Sequence, residues 1–120
     1  MKTLSLAVLC LLYCSTGYAV DNNVGGYDVE RLANAIYHAE GGANTRHPYG
    51  ILAKYKTTTP RQACINTIRS KHREWVKLGA NGDYVDYLAS RYCPIASDTD
   101  DGTCQYWPNN VHKLYQKQDA

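Results

Sequence analysis

The sequence predicts a mainly α-helical single domain with one irregular or short β segment after its first helix. Two observations lead to this prediction. Apolar residues recur three and four positions apart in several stretches, and glycine or proline ends most of these stretches. The chain has 120 residues, of which about 100 remain after the leader expected at its start, enough for one modest core.

Residues 1–19 are typical of a secretory signal peptide. Lys2 precedes a short apolar run, and small residues lead up to Ala19, after which we expect cleavage. The apolar run has about a dozen residues, fewer than the roughly 20 that a membrane-spanning helix needs. Lipoprotein processing at Cys14 is the alternative, although Tyr13 stands where a small residue is expected. We therefore expect a secreted or periplasmic protein without an integral membrane segment after cleavage.

The first helix is predicted between Asp28 and Glu40. The polar, glycine-containing residues 20–27 before it are expected to form a flexible lead-in. Asp28 is placed to cap the helix, its apolar residues have helical spacing, and two glycines follow its end. Residues 42–59 contain no long periodic pattern, so we expect a loop or a small hairpin there.

Three further helices are predicted downstream. The second begins after Thr59, with a proline in its first turn and a glutamine three residues after the cap, and it stops at Gly79. Asp83 is placed to cap the third helix. The fourth follows an acidic loop and ends near Gln116.

Composition excludes several classes of function. Removing Lys2 leaves twelve basic and eleven acidic residues, so the mature charge is close to zero and a nucleic-acid partner is not expected. No phosphate-binding, dinucleotide-binding or nucleophile-elbow motif is present. His38 and Glu40 give a faint zinc-deaminase pattern that lacks its cysteine pair. We expect no cofactor and no metal ion, and we expect a monomer.

Three cysteines follow the leader: Cys64, Cys93 and Cys104. In an oxidising compartment one pair is expected to form a disulfide and to leave one thiol over. A Cys93–Cys104 bond would close a short acidic loop, whereas a Cys64–Cys93 bond would join two helices. The sequence does not decide between them. We favour Cys64–Cys93 slightly, because it connects elements that are distant along the chain.

Glu40 is the main candidate for catalysis. It continues the apolar stripe of Leu32 and Ile36, so its side chain is expected on the face that the helix buries. Partial burial disfavours the charged form of a carboxyl group and raises its pKa, which suits a general acid. The alternative is a structural glutamate that faces solvent or pairs with Arg46 or His47.

The residues around Glu40 resemble those of a known superfamily. Residues 35–42, with the sequence AIYHAEGG, and the Tyr49-Gly50-Ile51-Leu52 stretch are similar to the lysozyme-like superfamily, in particular to lytic transglycosylases and related muramidases. In that family a helix ends in the catalytic glutamate, and a Gly-hydrophobic-hydrophobic-Gln strand follows. Residues 92–94 and 107–111 are similar to a Tyr-x-Pro motif and a downstream aromatic segment of some glucosaminidase and muramidase domains.

The resemblance implies a lysozyme-like α+β catalytic domain over residues 28–118 that cleaves peptidoglycan glycan strands at the MurNAc–GlcNAc β-1,4 bond. Glu40 would be the catalytic residue, and the substrate-binding residues would be Tyr49, Gly50, Ile51, Tyr92 and Trp107. Two positions depart from the family pattern, since Gly41 replaces a serine and Ala53 replaces a glutamine. Two alternatives therefore stay open: a non-catalytic glycan-binding module of the same fold, and a secreted disulfide-containing interaction protein.

The mechanism depends on the number of carboxylates, because most glycosidases use two. Residues 41–60 contain neither Asp nor Glu, so a partner would have to come from farther along the chain: Asp83, Asp86, Asp98, Asp100 or Asp101. A helix cap or a solvated surface explains these five equally well. We therefore favour one acid assisted by the acetamido group of the substrate. A 6-hydroxyl attack would give an anhydro product, as in lytic transglycosylases, and water would give the product of a lysozyme.

Overall fold

The computed structural model describes residues 21–51, 57–98 and 100–119. The expected signal peptide, together with Leu52 and Ala53, lies outside these residues. The described part is mainly helical, as predicted, with a small antiparallel sheet. Its elements are β1 (Asn23–Val24), β2 (Tyr27–Asp28), α1 (Val29–Ala39), α2 (Pro60–Lys77), α3 (Tyr84–Tyr92) and α4 (Trp107–Lys117). No described helix has both the length and the apolar character that crossing a membrane requires.

The starts of α1, α2 and α3 were predicted correctly because each of these helices has a local capping signal. Asp28, Thr59 and Asp83 precede α1, α2 and α3 with extended backbone conformations. Their side-chain oxygens accept hydrogen bonds from backbone N–H groups three residues on, at 3.0, 3.1 and 3.2 Å. A cap of this kind stabilises a helix by about 1 kcal/mol.

The segment expected to be a flexible lead-in, residues 20–27, instead contributes most of a β-hairpin that begins at Asn23 and ends at Asp28. Asn23 pairs with Asp28 across it. Gly25 and Gly26 close the two-residue turn with φ values of 62° and 91°, which suit glycine at both positions. The prediction was wrong because it relied on the polar composition of the segment. Its one apolar residue in the strand before the turn, Val24, is only 2% exposed and anchors the hairpin in the core.

Helix α1 forms the centre of the core. It packs against α2 and α4, and α3 in turn packs against α2 and α4. The core side chains with no exposed surface include Leu32, Ile36, Ile68, Leu88 and Val111. Burial of one such side chain contributes about 1.5–3 kcal/mol. This packing brings the C-terminal end of α1 close to the first residue of α4.

The segment after α1 is irregular, as expected. Two short 3-10 turns, Gly42–Asn44 and Pro48–Gly50, lie in it. No strand occurs in its described part, residues 42–51 and 57–59. The β structure of the described chain therefore precedes the first helix instead of following it.

The disulfide joins Cys93 to Cys104, with their Cα atoms 5.2 Å apart. The favoured Cys64–Cys93 pairing is therefore wrong. Cys64 is a free thiol with no exposed surface on the inward side of α2, whereas Cys93 follows the end of α3 beside the turn that begins at Cys104. Whether two cysteines can form a disulfide depends on the distance between their Cα atoms, and their separation along the chain does not predict that distance.

Candidate active site

Glu40 occupies the position where α1 ends. Its backbone N–H still bonds to the carbonyl of Ile36 at 2.9 Å, and Gly41 then adopts a φ of 110° that turns the chain away. The half-buried side chain of Glu40 projects into an open cleft of about 350 Å³. The other residues that line the cleft are Thr45, His47, Gly50, Tyr92, Cys93 and Cys104.

Trp107 orients the Glu40 carboxylate. It is the first residue of α4, and its indole Nε1–H donates a hydrogen bond of 2.8 Å to Oε1 of Glu40. The Trp107 ring is 5% exposed and stacks on Tyr92, with the ring centroids 5.3 Å apart and the planes 23° apart. An indole N–H can only donate. One carboxylate oxygen therefore has a fixed donor.

Gly50 brings the backbone against the other side of this carboxylate. Its φ is 68°, and a Cβ at this position would lie 3.0 Å from Cδ and 3.1 Å from Oε2 of Glu40. Both the conformation and the lack of space favour glycine here. The two neighbours, Trp107 and Gly50, leave the Glu40 carboxylate little freedom to rotate.

The turn that carries Gly50 is anchored at Tyr49. Tyr49 has a φ of 62°, an uncommon conformation for a non-glycine residue that costs on the order of 1–3 kcal/mol. Its backbone carbonyl accepts a hydrogen bond from the Tyr92 hydroxyl, and its own hydroxyl accepts one of 3.1 Å from Arg61. These bonds hold the strained turn in place. Burial also raises the pKa of the Tyr92 phenol, which keeps it a donor.

The structure separates the predicted substrate-binding residues into two groups. Gly50 and Tyr92 line the cleft together with Glu40. Trp107 does not line the cleft but donates a hydrogen bond to the Glu40 carboxylate, which does. Tyr49 is only 9% exposed and Ile51 packs against the core. Neither is among the cleft-lining residues of the described chain. Tyr49 and Ile51 therefore belong to the packing beneath the cleft and not to its surface.

Thr45 and His47 line the cleft and were not proposed as substrate-binding residues. The backbone N–H of His47 donates to Oγ1 of Thr45 at 3.1 Å, which links these two residues of the cleft lining. Closeness to Glu40 along the chain was the only signal that could have identified them. Within the described residues Glu40 hydrogen-bonds to the distant Trp107, whereas a structural pairing with Arg46 or His47 was the sequence alternative.

The candidates for a second carboxylate lie outside the cleft lining. Asp83 caps α3 and contacts His112, which Asp86 also approaches. Asp100 accepts hydrogen bonds from backbone N–H groups of its loop, which lower the pKa of its carboxyl group. Asp101 accepts from the hydroxyl and the backbone N–H of Thr103, which lower its pKa in the same way, and Asp98 is exposed. All eleven acidic residues of the chain fall within the described ranges. Glu40 is the one acid among the described residues that line the cleft.

Cys64 lies behind the cleft and is not suited to act as a nucleophile. Burial raises the pKa of its thiol to about 11, although the hydroxyl of Tyr92 partly offsets this effect. The reactive form of cysteine is the thiolate, which is a small fraction at neutral pH when the pKa is this high.

The arrangement can carry a proton in both directions. A carboxyl group held by one N–H donor and open to a cleft can donate a proton to a bound oxygen and later accept one. Comparison with protein-family models, curated proteins and solved structures found no match for this chain.

Proposed function

We propose that this protein cleaves the glycan strands of peptidoglycan, with Glu40 as both the general acid and the general base. The observation that carries the proposal is the Glu40 carboxylate itself, which Trp107 orients on the wall of an open cleft. The cleft volume of about 350 Å³ falls within the roughly 300–1,000 Å³ typical of ligand sites. The lysozyme-like motifs that end at Glu40 and include Gly50 supply the substrate class.

The proposed reaction uses one carboxyl group of the protein. Glu40 donates its proton to the oxygen of the MurNAc–GlcNAc bond while that oxygen leaves C1 of the muramic sugar. The acetamido oxygen of the same sugar attacks C1 and holds it as a cyclic intermediate. The Glu40 carboxylate then removes a proton from the incoming hydroxyl, which displaces the acetamido oxygen. A 6-hydroxyl gives the anhydro product of a lytic transglycosylase, and water gives the reducing end made by a lysozyme.

The disulfide favours an extracytoplasmic location for this activity. Disulfides persist in oxidising compartments and are rare in the cytosol, and Cys93 and Cys104 line the same cleft as Glu40. The disulfide can therefore form, and stabilise this wall of the cleft, outside the cytoplasm. Peptidoglycan is found in the same compartment. Secretion or a periplasmic location, with cleavage after Ala19, is part of the proposal.

Glu40→Gln is the direct test. The amide oxygen of glutamine can still accept the Trp107 hydrogen bond, so the fold should be kept while the proton is lost. We expect release of soluble fragments from purified peptidoglycan to fall by roughly 100- to 10,000-fold, the usual contribution of a general acid or base. Glu74→Gln is the matched control, because Glu74 pairs with Lys71 and Arg91 away from the cleft.

Mass spectrometry of the released fragments distinguishes anhydro from reducing ends. Full activity of Glu40→Gln would contradict the role of Glu40. A wild-type protein that binds peptidoglycan without releasing either product would contradict the enzymatic proposal and would indicate a glycan-binding module.

A further inference from the structure

A second group of polar side chains lies where β2, α3 and α4 meet. Nε2 of His112 is 3.1 Å from Oδ2 of Asp83 and 3.8 Å from Oδ1 of Asp86. One ligand atom from each of the three residues can be chosen so that all lie within 4.8 Å of one another. None of these residues lines the Glu40 cleft. The group is thus independent of the proposed active site.

Tyr27 lies against the other ring nitrogen of His112. Its hydroxyl donates its single hydrogen to Oδ1 of Asp83, and the same oxygen lies 3.4 Å from Nδ1 of His112. Because that hydrogen is already used, the Tyr27 oxygen can only accept from His112. A hydrogen bond from Nδ1–H to the Tyr27 oxygen would leave Nε2 free to direct its lone pair toward the two carboxylates.

With Nε2 of His112 presenting a lone pair, three acceptor atoms would converge, and a cation placed between them would satisfy all three. Zinc bonds of about 2.0–2.2 Å to nitrogen and oxygen place neighbouring ligand atoms roughly 3.3–3.6 Å apart in a tetrahedron. The observed separations from His112 to Asp83 and Asp86, 3.1 and 3.8 Å, bracket that range. A small rotation of the Asp86 side chain, which is 65% exposed, would complete the geometry.

The surroundings of His112 also match those of a metal ligand. A ligating histidine almost always bonds through its other ring nitrogen to an oxygen that fixes the ring, which is the place of Tyr27 here. Asp83 already accepts from Tyr27 and from the backbone N–H of Asp86. A carboxylate has about four lone-pair positions, so Asp83 retains capacity for a metal. Imidazole with two carboxylates suits zinc and its first-row neighbours better than magnesium or calcium.

We propose that Asp83, Asp86 and His112 bind one divalent transition-metal ion, with zinc as the probe, and that Tyr27 positions His112 for it. The side chains of His112 and Asp83 are 29% and 34% exposed, so an ion can enter from solvent and keep water as a further ligand. The ion would link the start of α3 to α4, with Tyr27 of the hairpin holding His112. These two helices also supply Tyr92 and Trp107 to the Glu40 site.

Isothermal titration of the tag-free protein with zinc chloride, after treatment with a chelator, tests the proposal. We expect one ion per chain and a melting temperature that rises with zinc concentration. His112→Ala should remove this binding. Asp86→Asn should weaken it at least tenfold without loss of folding, because Asp86 is largely exposed. Tyr27→Phe should weaken it by roughly 10- to 100-fold, the usual effect of losing an outer partner.

His38→Gln is the matched control for loss of a histidine. His38 lies on α1 against the ring of Tyr37, and the variant should bind zinc like the wild type. Absence of stoichiometric binding by the wild type would overturn the proposal. Equal zinc affinity in the wild type and in folded Asp86→Asn and His112→Ala proteins would also overturn it.

Discussion

Trp107→Phe tests whether the indole N–H positions the Glu40 carboxylate for reaction. The substitution removes the hydrogen bond of 2.8 Å and keeps an aromatic ring against Tyr92. Hydrogen bonds to charged groups contribute about 1.5–3 kcal/mol. If this bond holds the reactive geometry, its loss should lower turnover by roughly 10- to 150-fold, since 1.36 kcal/mol corresponds to a factor of ten.

Trp75→Phe provides a matched control. Trp75 also donates from its indole nitrogen, at 3.2 Å to the carbonyl of Asn81, and its ring packs against Tyr84. It is not among the described residues that line the cleft. This variant should therefore keep wild-type activity. Thermal melting of both variants separates loss of positioning from loss of folding.

Fragment release from purified peptidoglycan, measured over a range of substrate concentrations, gives kcat and KM separately. A positioning role for Trp107 predicts a fall in kcat with KM little changed, because the N–H contacts Glu40 and not the substrate. If folded Trp107→Phe stays within twofold of Trp75→Phe in kcat, the indole N–H does not position Glu40 for reaction.

Three further predictions concern the cleft and its surroundings. Gly50→Ala places a Cβ 3.0 Å from Cδ of Glu40 at a φ of 68°, so it should lower both melting temperature and activity; unchanged values for both would contradict the described turn. Replacing Cys93 and Cys104 with serine opens a disulfide that spans 11 residues and should lower the free energy of unfolding by about 3 kcal/mol, measured by urea denaturation against the oxidised wild type. The Cys64 thiol, with its pKa raised to about 11 by burial, should resist iodoacetamide at pH 8 until the protein is unfolded. Because the folded protein keeps this proton while the unfolded chain releases it at the usual value near 9, urea midpoints should fall as the pH rises from about 9 to 11. Rapid alkylation of the folded protein would show that Cys64 is not buried.

The helices could be predicted because their signals are local. Asp28, Thr59 and Asp83 each bond to the helix that they precede, so a few neighbouring residues contain the whole signal. The hairpin was missed because its support comes from elsewhere in the chain. Gly25 packs closely against Tyr84, since a Cβ on Gly25 would lie 2.5 Å from Cβ of Tyr84. No feature of residues 20–27 by themselves predicts that contact.

The candidate site likewise has a part that local sequence predicts and a part that depends on contacts between distant residues. The position of Glu40 at a helix end followed from the apolar stripe and the glycines after it. Its partner Trp107 lies 67 residues away, and their contact depends on how α4 packs against α1. The resemblance named Trp107 as a substrate-binding residue, whereas the structure places its indole N–H on the carboxylate. The disulfide was misassigned for a related reason, since the distance between Cys93 and Cys104 depends on the path of the loop.

The distribution of acids constrains the chemistry of the cleft. Glu30 pairs with Arg61, Glu74 pairs with Lys71, and Asp119 pairs with Arg31, while the remaining aspartates outside the cleft serve as caps, loop acceptors or exposed side chains. A two-carboxylate glycosidase needs its acids within about 10 Å of each other across the substrate, and Glu40 has no such partner among the described residues of the cleft wall. If Glu40 acts in both steps, Glu40→Gln blocks bond cleavage and the following attack together. A rapid first turnover by this variant would therefore indicate a second acid and would exclude the one-carboxylate mechanism.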